Sequence, residues 1–302
     1  MRQTLADQIA LFVCNAASRS SFSRMEPLGG IDVADAPIVG FANGYDGMVE
    51  CLKSVVSPNH RTPLEAWREE FPSERAPTNL TVISFVLPFS EAVRKSNRRE
   101  KEPSVEWLSA KVYSEAILND IQTGLISFLT AKGHLATAPS RVSTFRIEYG
   151  LPSGPAANWS ERHYGYAAGI GTFGLSRGLI TKRGVAMRCA SILTDAKLSP
   201  TPRPISHTAY CQFLESGDCG DCIKRCPAGA ISANGKDNNV CRAYLNTLEP
   251  LARKAIPSDI LKYVSDRKLT SITACGLCQT AVPCEHSIPP KSLFATPQHR
   301  TL

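Results

Sequence analysis

Apolar residues near the start of the chain recur at Leu5, Ile9, Phe12 and Val13, the spacing of a helix with one packed face. Residues 58–79 hold four prolines and little periodicity, and read as an irregular connection. Leu80-Thr-Val-Ile-Ser-Phe-Val-Leu87 is a continuous apolar, β-branched run stopped by Pro88, which predicts a buried strand. Leu108, Val112, Ala116, Ile121, Leu125 and Phe128 keep one face apolar, predicting a long helix that stops near Lys132-Gly133. Phe145, Ile147 and Tyr149 alternate as in a half-buried strand ended by Gly150 and Pro152. Trp159 to Ala168 is polar and helix-like, and Cys189 to Thr194 is another strand candidate. Strand, helix, strand, a glycine-rich segment and a further strand predict an α/β or α+β layer.

Pro200 to Pro204 packs three prolines into five residues and marks a domain boundary. The expected division is 1–205, whose first 79 residues form a distinct N-terminal part, and 206–302, where cysteines replace a conventional core. A chain of 302 residues with 43% apolar and 20% charged residues has the make-up of an ordinary globular protein. Ala10 to Val13 is too short for a signal sequence or a membrane span, so a reduced, cytoplasmic setting is expected for the eleven cysteines. The net charge of +7 admits nucleic acid as a partner. The dense basic run, however, is Arg94, Lys95, Arg98, Arg99 and Lys101 beside Glu91, Glu100 and Glu102, without aromatic residues for base stacking, and reads as a solvated loop.

Eight cysteines in the last third change the picture most. Cys219-x2-Cys222-x3-Cys226-Pro227 matches the later part of the C-x2-C-x2-C-x3-C-P run of two-cluster ferredoxins, and Cys275-x2-Cys278 with Cys284 supplies a second half. Two [4Fe–4S] clusters need eight thiolates, and Cys211 and Cys241 complete that number. In two-cluster ferredoxins the Cys before Pro ligates the other cluster. That rule assigns Cys211, Cys219, Cys222 and Cys284 to one cluster, and Cys226, Cys241, Cys275 and Cys278 to the other. Cys211 stands eight residues before Cys219, where the ferredoxin run has three. Zinc is the competing metal, since paired C-x2-C units bind it tetrahedrally; the Cys-Pro favours iron–sulfur. Cys14, Cys51 and Cys189 are left as ordinary thiols.

Gly169-Ile-Gly-Thr-Phe-Gly174 matches G-x-G-x-x-G, with Asp195 further on. A helix-like stretch precedes it and no helix opens after it, which argues against a dinucleotide site. The glycines still require a sharp bend or a close backbone approach.

Taken together, these blocks resemble epoxyqueuosine reductases. Ala168-Gly-Ile-Gly-Thr-Phe-Gly174, Leu179-Ile-Thr181 and Ser191-Ile-Leu-Thr-Asp195 are similar to their A-G-L-G-W-I-G, L-L-I and E-I-L-T-D blocks. Val82 to Phe89, Cys241 to Glu249 and Cys275-Gly-Leu-Cys278-Gln279 resemble three more, over residues 80 to 284. The resemblance extends to the superfamily that joins these enzymes to reductive dehalogenases. It implies an α+β fold, with a nitroreductase-like cobalamin-binding sandwich followed by a ferredoxin-like domain carrying two [4Fe–4S] clusters. No counterpart of the helical-repeat extension of longer members is expected after Cys284.

The implied activity is a cobalamin-dependent reduction, in which the clusters deliver electrons singly to a base-off cobalamin. An external low-potential electron donor would supply them, and the partner would be a small-molecule substrate or another protein's corrinoid. The resemblance points to Gly169, Gly171, Phe173, Gly174, Arg188 and Ser191 as corrin contacts, with His163 as a further candidate. It departs at one place. The family's proton-donating Asp is matched by Pro152, in Leu151-Pro-Ser-Gly-Pro-Ala-Ala-Asn-Trp-Ser-Glu161, so epoxyqueuosine itself is not the expected substrate. Glu148, Tyr149 and Glu161 are the remaining candidates for a proton donor. The alternative is an electron-transfer or corrinoid-handling protein with no substrate of its own.

Overall fold

The computed structural model describes residues 3–99, 101–266 and 272–290. The chain opens with α1 (Leu5–Arg19), the short pair β1 (Arg24–Met25) and β2 (Ile31–Asp32), and β3 (Ile38–Asn43). Then follow α2 (Met48–Val55), α3 (Pro63–Glu70), β4 (Thr81–Pro88), α4 (Glu91–Ser96) and α5 (Val105–Thr130). The middle of the chain holds β5 (Ala136–Thr137), β6 (Ile147–Glu148), β7 (Ala156–Ala157), α6 (Glu161–Ala167), β8 (Gly171–Phe173), β9 (Leu179–Thr181) and β10 (Met187–Thr194). The last part comprises α7 (Gln212–Ser216), α8 (Asp221–Lys224), β11 (Ile231–Ser232), β12 (Gly235–Lys236), α9 (Asn238–Ala255) and α10 (Ser258–Asp266). Among the described residues, no helix is long and apolar enough to cross a membrane.

The chain divides into two compact units. The first comprises Met1–Ser90, Val112–Ile170 and Met187–Arg203; the second comprises Glu91–Lys111, Gly171–Ala186 and Pro204–Leu302. The division is therefore discontinuous. Its last cut falls between Arg203 and Pro204, and two earlier segments also join the second unit.

A four-stranded antiparallel sheet in the order β3-β4-β10-β5 forms the centre of the first unit. Every residue of β4 is buried, as its unbroken apolar composition requires. Its neighbour β10 pairs along the full length, with Ile192 opposite Ile83 and Cys189 opposite Val86. Gly40 in β3 allows the sheet edge to lie against the Ala168 carbonyl, where a Cβ would collide. Thr4 and Asp7 close a reciprocal capping box on α1, which turns Ile9, Val13 and Ala17 inward and stacks Phe12 on Phe128 of α5 at 5.3 Å.

Two sequence expectations are corrected here. The proline-rich stretch 58–79 contains α3, because Thr62 caps it, Glu65 answers in a capping box and Pro63 occupies the first turn. There proline starts a helix, its missing N–H being one that no helix partner would satisfy. The alternation at Phe145, Ile147 and Tyr149 does not make a half-buried strand. Only Ile147–Glu148 pairs, with Ala156–Ala157, and Ile147 and Tyr149 are 43% and 59% exposed.

Candidate functional site

The eight cysteines of the C-terminal part all lie in the second unit, mostly on short elements and turns. Cys211 is the N-cap of α7, Cys222 lies in α8, and Cys241 sits in the first turns of α9, which Asp237 caps. Gly220, with φ at 139°, turns the chain between Cys219 and Cys222, and Gly276, with φ at 64°, does so between Cys275 and Cys278. The Gly276 position also faces the Trp107 indole so closely that no side chain fits. The Cys226 sulfur accepts the Ala230 N–H at 3.3 Å, and the Cys284 carbonyl accepts the Val185 N–H at 2.8 Å.

Burial governs the thiols, and neighbouring thiols add to its effect. Burial pushes Cys284 up to about 12, and Cys211, Cys222 and Cys219 add to the shift. Burial pushes Cys275 up to about 12 as well, with Cys278, Cys241 and Cys226 adding to it. Cys222 also reaches about 12 through burial, and the first thiol acting on it is Cys278. Cys222 and Cys278 thus act on one another across the two groups that the crossover rule separates. Leu175, Ile180, Val185, Ile231 and Val282 form the apolar cluster around Cys211, and four more of the cysteines pack against it. In such a nest a bare thiol keeps its proton, and a cationic metal core is what restores the thiolate. Among the described residues, no three His, Cys, Asp or Glu side chains close on one point as the ligands of a single ion do.

The ligand loops are held by polar clamps that the sequence did not reveal. Arg225 donates to the carbonyls of Leu277, Thr280 and Asn97 at 3.1–3.3 Å. Glu285, 2% exposed and next to Cys284, accepts from Arg98 at 2.8 Å and from the Ala281 N–H at 2.6 Å, with Arg94 at 3.6 Å. The run read as a solvated loop is corrected accordingly. Arg94 of α4 is buried, and it and Arg98, just beyond the helix, both reach a buried carboxylate. The four-residue spacing of Arg94 and Arg98 was the available signal.

In the first unit, α6 and β10 bring Glu161 to Ser191. Ser191 donates to Glu161 Oε2 at 2.6 Å and accepts from the Trp159 indole N–H at 3.0 Å. Burial raises the Glu161 carboxyl to about 7, with Ser191, Ser140 and Trp159 acting against the rise, and its Oε1 has no hydrogen-bond partner. Trp159 stacks on Tyr164 at 3.9 Å, and Tyr164 donates to the Arg61 carbonyl. On β10, Arg188 has an enclosed Nε without a hydrogen-bond partner, and burial pushes the adjacent Cys189 thiol up to about 12.

No family model matches the sequence, and no curated protein matches it. Solved structures do. One is an epoxyqueuosine reductase from Bacillus subtilis, captured with its catalytic aspartate loop swung out of the active site. It is 16% identical, with a TM-score of 0.47, over 95% of this chain and 67% of that one. A selenomethionine-labelled epoxyqueuosine reductase is 15% identical, with a TM-score of 0.47, over 95% of this chain and 69% of the other.

The other residues singled out from the sequence are placed as follows. Gly169, with φ at 68°, lies in the first unit and packs its Cα against the Pro202 carbonyl. Gly171, Phe173 and Gly174 lie in the second, in or just after the β8 strand of a hairpin. There Gly171 faces the Ile180 carbonyl and Gly174 the Ile180 side chain, so the close backbone approach is made by the protein's own β9. His163 Nδ1 is hydrogen-bonded to Ser160 Oγ at 2.7 Å. Glu148 accepts from Ser57 at 2.6 Å and from Asn59, and both bonds hold its carboxyl below the usual range. It lines a cavity of about 410 Å³ with Lys53, His60, Arg61, Glu65 and Arg146. Sequence reasoning missed that cavity, because His60 and Arg61 lie in the stretch taken for irregular connection. His60 is fully buried and accepts the Ser160 N–H through Nε2; burial, then Arg61, lowers it to about 4.

Proposed function

We propose that this protein is an iron–sulfur reductase that carries two [4Fe–4S] clusters and passes their electrons to a bound cobalamin. The observation that carries the reading is the donor set: eight cysteines in one unit, with Cys219-x2-Cys222-x3-Cys226-Pro227 and Cys275-x2-Cys278 among them. Cys211, Cys219, Cys222 and Cys284 hold one cluster, and Cys226, Cys241, Cys275 and Cys278 the other. Apolar packing around five of the eight thiols excludes water, one of the means by which proteins set cluster potentials.

The donor chemistry around β10 fits a corrinoid, whose rim of amides and phosphate offers partners for polar groups left unsatisfied. Arg188 Nε and Glu161 Oε1 are such groups, and both are enclosed. Arg188, Ser191 and Glu161 are therefore the residues assigned to hold it or its substrate. A bound cobalamin supplies a cobalt centre able to accept single electrons and react with an organic substrate. The protein's own part is to orient, to exclude water and to hold a proton. Reduction consumes protons, and burial has raised the Glu161 carboxyl to about 7, so that a substantial share of it carries a proton near neutral pH. Glu148 is fixed as a carboxylate by two donors and suits the accepting of hydrogen bonds. The unmatched Asp at Pro152 makes a substrate other than epoxyqueuosine the reading here.

Anaerobic reconstitution tests the clusters. About eight irons per chain are expected, with cubane absorbance. About two zincs and no such absorbance refute the assignment. Titration with cob(II)alamin is expected to shift its spectrum to the base-off form, and an unchanged spectrum removes cobalamin from the proposal. Turnover of epoxyqueuosine-containing RNA by the loaded protein overturns the exclusion of that substrate.

A further inference from the structure

We propose that the cavity of about 410 Å³ in the first unit binds a small dipolar molecule of the α-amino acid kind, its carboxylate on Arg146 and its ammonium on Glu148. Every residue that lines the cavity belongs to the first unit and none is a thiol, so the site stands apart from the iron–sulfur reading.

Three observations carry it. The first is the make-up of the wall. Of the ten residues that line the cavity, only Pro58 is apolar, so a lipid or an aromatic ring finds little surface there. The volume lies within the range of small-molecule sites, roughly 300–1,000 Å³. The charges of the wall cancel, with Lys53, Arg61 and Arg146 against Glu65, Glu69 and Glu148. His60, which burial lowers to about 4, adds none at neutral pH. A lone anion or a lone cation gains little from such a wall, whereas a molecule carrying both charges gains at each end.

The second is which of those charges are already engaged. Lys53 Nζ lies 2.7 Å from Glu65 Oε1, and Arg61 Nη1 lies 2.8 Å from Glu69 Oε2. The third pair is not closed. Among the described residues the Arg146 guanidinium takes part in no hydrogen bond or ion pair, and Glu148 is held by the neutral donors Ser57 and Asn59 with no cation paired to it. Ser57 and Asn59 keep its carboxyl low, and the field of Arg146 adds to them.

The third is how the two ends are placed. Arg146 immediately precedes β6 and Glu148 ends it, and both line the cavity while Ile147 between them does not. Alternate residues of an extended chain share a side and lie about 6–7 Å apart, a separation that a molecule with both charges on one carbon can span. Asn158 fixes the position. Its Oδ1 accepts the Arg146 N–H, and its own N–H is donated to the Arg146 carbonyl, both at 3.1 Å. The backbone of Arg146 is thus pinned while its side chain stays exposed. In the same wall, His60 and Arg61 are buried, and His60 Nδ1 and Arg61 Nε have no hydrogen-bond partner. His60 Nε2 accepts the Ser160 N–H, so the proton of the neutral ring is on Nδ1 and both atoms are donors. Unpaired buried donors are costly, and they favour a ligand side chain that brings an acceptor, directly or through a water.

Calorimetric titration of the full reconstituted chain with L-serine, L-threonine, L-asparagine and L-glutamine tests the proposal. At least one is expected to bind one to one. Its N-acetyl form, which lacks the ammonium, and its amide, which lacks the carboxylate, should each bind about tenfold or more weakly, the loss of one charge-assisted contact. Arg146→Gln should weaken the parent amino acid by a similar factor and bind acid and amide alike, because the partner of the carboxylate is gone. Glu148→Gln should likewise bind the parent and its N-acetyl form alike. The unfolding midpoint of ligand-free Arg146→Gln should match that of the unaltered protein, since the guanidinium holds nothing else in place. Absence of binding by all four amino acids overturns the proposal, as do equal affinities for the parent and its capped forms, or unchanged binding in Arg146→Gln. Tighter binding of inorganic phosphate or of glucose, lost in Arg146→Gln, makes this an anion or a sugar site and the proposal falls. Competitive displacement of the amino acid by cob(II)alamin gives the cavity to the corrinoid and overturns it too.

Discussion

The two units use the same chain chemistry to opposite ends. In the first, β4 and β10 run eight residues each, pair along their whole length and bury nearly everything they carry. In the second, the strands are two or three residues long, and the apolar cluster has thiols among its members and along its edge. One unit spends its buried positions on hydrocarbon, whose removal from water stabilises the fold directly. The other lines its apolar cluster with partly buried thiols, which under the proposed function would contribute fully only with metal bound. The contrast explains why strand and helix periodicity speaks clearly for the first unit, while residue spacing speaks for the second.

The largest expected effect separates the two most sharply. Removing iron from the holoprotein with a chelator should abolish the ordered structure around the thiols while leaving the β3-β4-β10-β5 sheet, and hydrogen exchange resolved by segment measures this. Cys222→Ser and Cys226→Ser should each lower the iron content by about half, with the two variants losing different clusters by electron paramagnetic resonance. Loss of the same cluster in both variants breaks the crossover assignment. Next come two truncations of similar size. Phe85→Ala removes a fully buried side chain from β4 and should cost about 3–5 kcal/mol in chemical denaturation, with the iron content unchanged. Glu285→Ala removes the buried carboxylate that Arg94 and Arg98 face, for a loss of about 3–5 kcal/mol that should appear as weaker cluster retention.

Smaller effects follow from pH. Glu161, raised to about 7, adds stability that is full below the ordinary carboxylate range and fades as pH rises from about 4.5 through 7. His60, lowered to about 4, does the reverse: stability is lost as pH falls from about 6.5 toward 4. Each is worth at most about 3 kcal/mol. The two oppose between pH 4.5 and 6.5, so the unaltered protein should change little there. Glu161→Gln should expose a rise in stability with pH, and a flat profile in that variant removes the claim for Glu161. The smallest effect is expected from Lys95→Ala, which breaks only the exposed pair with Glu91 and should leave the denaturation midpoint where it was.

Where one residue's neighbours in the chain decide its fate, the fold was legible. The apolar run of β4, the stripe of α5 and the Cys-x2-Cys pairs are such cases. What escaped depends on partners far away in the chain or on competing local signals. Thr62-Pro63 starts a helix that four prolines seemed to forbid. Ile147 and Tyr149 alternate without a buried face to receive them. Gly171 answers to the Ile180 carbonyl across a hairpin, and Arg94 to a carboxylate nearly two hundred residues on. Of the candidate site, the thiols and Glu161 could be named in advance. The 410 Å³ cavity could not, because its lining comes from four separate stretches that share no pattern.

The second unit is sewn from three stretches of chain, and the stitch from Glu285 to Arg94 and Arg98 closes only after most of the polypeptide has been made. On the ribosome the sheet can form once β10 has emerged, whereas the Cys284 loop is clamped to Arg94 and Arg98 only when residue 285 follows. Timing therefore falls unevenly on the two halves. A nascent chain would expose unprotected thiols for the whole interval between Cys211 and Cys284, when oxidants and stray metals compete for them. Cells making this protein under oxygen should accumulate a species with a formed sheet and damaged cysteines, and an abundant iron supply during synthesis, rather than after it, should raise the yield of intact protein.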